Sequence, residues 1–128
     1  MQGLHLTADL SLCRSGMHLM TDANALLVAL IAAVKAAGLQ AVSQLAHQFP
    51  ASAQGPGGVT ATVLLAESHA CVHTWPERSA VTLDVYVCNF GSNHSAAAQH
   101  LMDALIALFA PQTVQRNRLY RGLPTTPH

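Results

Sequence analysis

Three β-rich runs stand close together in the middle of the chain: "VTATVLLA" at 59–66, "HACVHTW" at 69–75 and "AVTLDVYVC" at 80–88. The third alternates strictly. Val81, Leu83, Val85 and Val87 fall on one face, and Thr82, Asp84, Tyr86 and Cys88 on the other. A period of two marks a strand with one side buried. Connections this short make hairpin-like neighbours, so the sheet is expected to be antiparallel.

The flanking segments agree with that frame. Residues 3–12 alternate weakly and read as a strand, as do 40–49, "QAVSQLAHQF", and 113–120, "TVQRNRLY". "TDANALLVALIAAVKAAG" reads as a helix, with Thr21 or Asp22 able to cap its start and Gly38 to end it in the left-handed conformation. Its apolar stripe is Leu26, Leu27, Leu30, Ile31 and Val34. A second helix fits 94–109, capped by Ser92 or Asn93 and closed by Pro111. Residues 50–58, "PASAQGPGG", form a loop rather than a domain linker, and the tail "GLPTTPH" is expected to fray. The order β-α-β-β-β-β-α-β predicts an α+β two-layer sandwich, with two helices on one face of an antiparallel sheet and a single domain over 1–128.

Such a sheet leaves one face bare. The composition suggests what covers it, because 51% of residues are hydrophobic and 9% charged, against about a quarter charged in an average domain. A homodimer with sheet faces packed together is the expected partner arrangement. Net charge is +0 and the pI about 7.1, which argues against nucleic acid. Arg116, Arg118 and Arg121 cluster near the C-terminus, where edge protection explains them better than a binding patch. The longest apolar stretch is interrupted by Lys35 and is shorter than a bilayer span, so no membrane role is expected. No signal peptide is visible and the cysteines number three, an odd count. A cytoplasmic protein with reduced thiols is the simplest account.

Reactive side chains concentrate in "AESHACVHTWPE", residues 66–77. One reading is a metal site. His69, Cys71 and His73 share a strand face, Cys88 lies in a neighbouring strand, and two His with two Cys are a legitimate zinc set. Alternate strand positions are roughly 7 Å apart, however, which is wide for one small ion. A second reading is nucleophilic chemistry at Ser68, between Glu67 and His69. A regular strand puts Ser68 on the face opposite Glu67, His69, Cys71 and His73, and no G-x-S-x-G elbow is present. A third is a non-catalytic dimerisation domain that uses its apolar face.

The blocks Glu67-Ser68-His69, His73-Thr74-Trp75-Pro76-Glu77 and Asp84-Val85-Tyr86-Val87-Cys88 resemble, in order and spacing, the bacterial and archaeal S-adenosylmethionine decarboxylase proenzymes. "GLHLTADLSLC" at 3–13 resembles their first strand more loosely. The resemblance implies a pyruvoyl enzyme that matures by cutting itself between Glu67 and Ser68, giving a β chain of 1–67 and an α chain of 68–128. The covalent pyruvoyl cofactor would come from Ser68. Its ketone can form a Schiff base with the substrate amine and draw electrons as CO₂ leaves. The activity implied is decarboxylation of S-adenosylmethionine for polyamine (spermidine) biosynthesis.

Residue roles carry over by position. His73 resembles the histidine that assists processing, and imidazole suits proton transfer near neutral pH. Thr60 stands where the family has a processing serine. Cys88 resembles the cysteine that returns a proton to the product carbon. Glu77 matches a glutamate that contacts the ribose hydroxyls, and Phe49 an aromatic that stacks on adenine, contributed from the partner chain. A core phenylalanine ending a strand is the plain alternative for Phe49. Trp75 and Tyr86 read as packing.

Some positions depart from the family. Asp9 replaces a frequent Glu, "RSAVT" at 78–82 replaces a Tyr/Gly-rich stretch, and the loop at 50–58 is about five residues longer than expected. These changes lie on the substrate side. They leave open a basic amino acid, L-ornithine or L-arginine, whose distal cation Asp9 or Glu77 could pair with.

Overall fold

The structure, a computed structural model, describes residues 2–89 and 91–123. Six strands form one sheet: β1 (Gln2–Cys13), β2 (Ala41–Gln48), β3 (Val59–Leu65), β4 (Ser68–Trp75), β5 (Ala80–Cys88) and β6 (Pro111–Gly122). Their spatial order is β2-β3-β4-β5-β1-β6, and every neighbouring pair is antiparallel. Helices α2 (Ala23–Ala36) and α3 (Ser95–Phe109) pack on the same face, α2 over β2 and β3 and α3 over β1 and β5.

The alternation explains the layering. Leu4, Leu6, Ala8 and Leu10 of β1 and Val81, Leu83, Val85 and Val87 of β5 are buried against the helices. They meet Leu26, Leu30 and Val34 of α2, and Leu101, Leu105 and Phe109 of α3. Leu27 and Ile31, the flanks of the expected stripe, are half-buried. Each fully buried Leu or Phe contributes about 1.5–3 kcal/mol by removal from water. Thr74 is a polar member of this layer, and its hydroxyl donates to the Met20 carbonyl at 2.7 Å and accepts from the Val59 amide at 2.8 Å.

The caps largely match their sequence signals. Asp22 accepts from the Ala25 amide at 3.1 Å, and Gly38 follows α2 at φ 83°. At α3 the Asn93 side chain accepts from the Ser95 amide at 2.9 Å, while His94 occupies the N-cap position without a side-chain cap. Pro111 begins β6, where a missing amide at the first position of an edge strand costs no ladder bond.

A third helix corrects the expectation of two. α1 (Met17–Thr21) is a single turn that buries Leu19 and Met20. Five residues are too few to display a helical period in sequence. Gly16 precedes it at φ 73°, and a Cβ there would lie 2.7 Å from the Leu108 carbonyl oxygen. Only glycine fits that approach. No helix among the described residues is long and apolar enough to cross a membrane. Of the tail expected to fray, 124–128 lie outside the described residues.

Candidate active site

Strand β3 ends at Leu65 and β4 begins at Ser68, its cross-strand partner, so Ala66 and Glu67 alone make the turn. Glu67 adopts φ 55°, a left-handed conformation that costs a non-glycine residue about 1–3 kcal/mol. The Glu67–Ser68 peptide therefore sits at a strained, exposed bend. Ser68 shares its side of β4 with Ala70, Val72 and Thr74, opposite His69, Cys71 and His73, as the regular alternation required. Its hydroxyl oxygen accepts from the Cys88 amide at 3.0 Å. Cys88 ends β5 and is 7% exposed. A cavity of about 260 Å³ borders Ser68, lined also by Gly38, Leu39, Gln40, Leu65, Ala66 and His94. The serine from which a pyruvoyl group would form thus has room around it and a fixed oxygen, so the residues present fit that group.

A second cluster lies toward the far end of β4. Thr60 and His73 are cross-strand partners, with Thr60 Oγ1 3.0 Å from His73 Nδ1. They line a cavity of about 370 Å³ with Phe49, Gly58, Thr74, Trp75 and Glu77. Glu77 is held there by the 3-10 turn Pro76–Arg78. The Phe49 amide donates to the Gly58 carbonyl at 2.9 Å, closing the long loop at its base. A Cβ on Gly58 would collide with the Thr74 carbonyl oxygen, so glycine is required at this closure. Phe49 is 48% exposed and its ring stands edge-on to His47 at 4.7 Å. It is not a core residue, which removes the plain alternative. Trp75, 40% exposed, faces this cavity rather than packing inside.

The sequence-derived residues therefore form two groups. Glu67, Ser68 and Cys88 gather at one end of β4, and Thr60, His73, Phe49 and Glu77 at the other. Five residues of strand separate Ser68 from His73, about 16 Å. Asp9 is exposed in the same cross-strand row as Thr82, His73 and Thr60, two strand spacings or about 10 Å from His73.

The four-residue metal set is not assembled. Cys71 accepts a hydrogen bond from Thr62 at 3.3 Å, and burial, with the Asp84 carboxylate, pushes its thiol pKa up. Among the described residues, the His, Cys, Asp and Glu side chains with ligand atoms within 4.8 Å of one another are His5, His69 and Asp84. His5 was missed in the sequence because its proximity to Asp84 depends on β1 pairing with β5, which no local pattern reveals.

Comparison with known proteins bears on the whole chain. Residues 4–122 match the family described as S-adenosylmethionine decarboxylase. An S-adenosylmethionine decarboxylase proenzyme of Aquifex aeolicus is 37% identical over 122 residues, covering 94% of this chain and 82% of that one. The proenzyme of Picrophilus torridus is 33% identical over 120 residues, covering 94% and 84%. The crystal structure of the Aquifex aeolicus adenosylmethionine decarboxylase superposes with a TM-score of 0.82 at 32% identity, over 98% of this chain and 95% of that one. These relatives lend no support to a basic amino acid as substrate. With its Ala66–Glu67 turn leading into Ser68, its cysteine beside that serine and its fold matched over 98% of its length, this chain belongs to the S-adenosylmethionine decarboxylase family.

Proposed function

We propose that the chain is a proenzyme that cuts itself between Glu67 and Ser68 and then, as a homodimer, decarboxylates S-adenosylmethionine. The observation that carries the reading is the Ser68 hydroxyl oxygen, held by the Cys88 amide directly after a left-handed Glu67. The Ser68 Oγ attacks the Glu67 carbonyl carbon, its C–N bond breaks, and an ester with a free serine amine results. Loss of the Cα proton of Ser68 expels the Glu67 carboxylate as the new end of 1–67 and leaves dehydroalanine. Tautomerisation to an imine, then addition of water with loss of ammonia, gives the pyruvoyl end of 68–128.

Once formed, the pyruvoyl group supplies an electrophilic ketone, the electron sink that loss of CO₂ requires. The chain's own residues do the rest. The Cys88 thiol returns a proton to the product carbon, Glu77 accepts from the ribose hydroxyls, and Phe49 offers its exposed ring to adenine. Thr60 and His73 act as a hydroxyl–imidazole pair for proton transfer during processing.

The separation of the two groups supports the dimer. The helices leave the face carrying His69, Cys71, His73 and Thr60 uncovered. A second copy packed antiparallel on that face brings its Thr60–His73 end over the first copy's Ser68–Cys88 end. The product of decarboxylation serves spermidine synthesis, and three free thiols suit the cytoplasm.

Intact mass under denaturing conditions tests the cleavage, with ¹⁴CO₂ release from carboxyl-labelled adenosylmethionine to follow turnover. Two fragments broken before Ser68, with a blocked terminus on the larger residue numbers, are expected. An uncut chain that still releases CO₂ defeats the proposal.

A further inference from the structure

On the open face three side chains converge that neither cleavage nor decarboxylation uses. His5 Nε2 lies 2.5 Å from Asp84 Oδ1, and His69 Nε2 lies 3.5 Å from the same oxygen. One donor atom from each residue falls within 4.8 Å of the other two. The register explains the convergence. Tyr86 on the central strand β5 pairs with His5 of β1 on one side and His69 of β4 on the other. Both imidazoles pack against its ring, at centroid distances of 5.7 and 5.8 Å. Asp84, two positions back on the same face, meets both histidines diagonally.

We propose that His5, His69 and Asp84 form a binding site for a divalent transition cation of the zinc class. Two imidazoles and one carboxylate are a donor set for borderline ions, whereas magnesium and calcium take oxygen donors. Three protein ligands leave a tetrahedral position free for water or for a group from whatever covers this face. Donors around a tetrahedral ion with bonds of about 2.0 Å stand about 3.3 Å apart. The His69–Asp84 spacing already matches, and His5 need withdraw by less than about 1 Å. The three ligands come from three adjacent strands, so the cation would tie β1, β5 and β4 together next to the scissile turn.

The test uses untagged full-length protein stripped with a chelator, titrated with zinc chloride by calorimetry and with cobalt chloride by absorption. One equivalent per 128-residue unit, cut or uncut, is expected, with a cobalt spectrum showing ligand-field bands and no thiolate charge-transfer band. His5→Gln and Asp84→Asn, on different strands, should each weaken binding by more than the roughly 10- to 100-fold that outer-shell partners contribute. His100→Ala, exposed on α3, should bind like the parent. Circular dichroism identifies any variant that fails to fold, and the remaining one decides. Absence of stoichiometric binding, binding unchanged in the folded variants, or a thiolate band would each overturn the site.

Discussion

The backbone amide of Cys88 donates to the hydroxyl oxygen of Ser68 at 3.0 Å, across the junction of β4 and the end of β5. The contact uses the cysteine's main chain and leaves its thiol for other work. Ser68→Ala removes the attacking oxygen and should give an uncut, inactive chain. Cys88→Ala keeps the amide, so cleavage should proceed, while turnover should fall by about 10²–10⁴-fold, the usual range for a lost proton donor. Gel mobility and CO₂ release, measured on both variants, separate the two roles.

Glu67 is strained where it stands, and glycine would not be. If the acyl shift relieves that strain, Glu67→Gly should slow cleavage, by about tenfold for each 1.4 kcal/mol no longer stored. In a Ser68→Ala background, where no cleavage competes, the same change should leave stability to urea level or higher. Faster cleavage of the glycine variant would mean the conformation plays no part in the reaction.

Strand identities, the antiparallel pairing and the two long helices were legible because period two and the caps are local signals. Face assignments in β5 and β4 followed directly from them. What escaped depended on distant pairing or on very short elements. α1 is a single turn, and His5 meets Asp84 only because β1 inserts between β5 and β6. The candidate residues of the site came from the resemblance, which carried no sign of their division into two groups. Thr60 and His73 bracket Ser68 in sequence, whereas the two-residue turn folds them into a pair about 16 Å along the hairpin from it.

Phe49 should contribute to binding rather than to the core. Phe49→Ala should raise KM for adenosylmethionine by the equivalent of about 1–3 kcal/mol, the usual worth of stacking a base on an aromatic ring. Its effect on stability should be small, since the ring is 48% exposed. Cleavage of the variant should match the parent. A large loss of stability with unchanged KM would return Phe49 to a packing role.

Acid should release one tie between α3 and the edge strand. Arg116 donates to Asp103 at 2.8 Å and, with Gln99, holds its carboxyl below the usual range. A lowered folded-state pKa contributes stability above the unfolded value, about 3.9, and loses it as pH falls through the folded one. Asp103→Asn should therefore destabilise at neutral pH by less than about 1 kcal/mol, because both groups are exposed. The difference should shrink below about pH 4 and in high salt. Urea midpoints across pH, on the parent and the variant, measure it.

A site divided between two copies makes a prediction that a site within one chain cannot. Ser68→Ala and His73→Ala each spoil every site in their own homodimers. In a mixed dimer one site combines the Ser68 of the His73→Ala chain with the His73 of the Ser68→Ala chain, and both groups are intact. Co-expression with two different tags, followed by tandem purification, isolates that species. Its His73→Ala chain should be cut and its Ser68→Ala chain whole, with CO₂ release restored above either homodimer. If His73 served its own chain's Ser68, the mixed dimer would contain no complete site, and both chains would stay uncut.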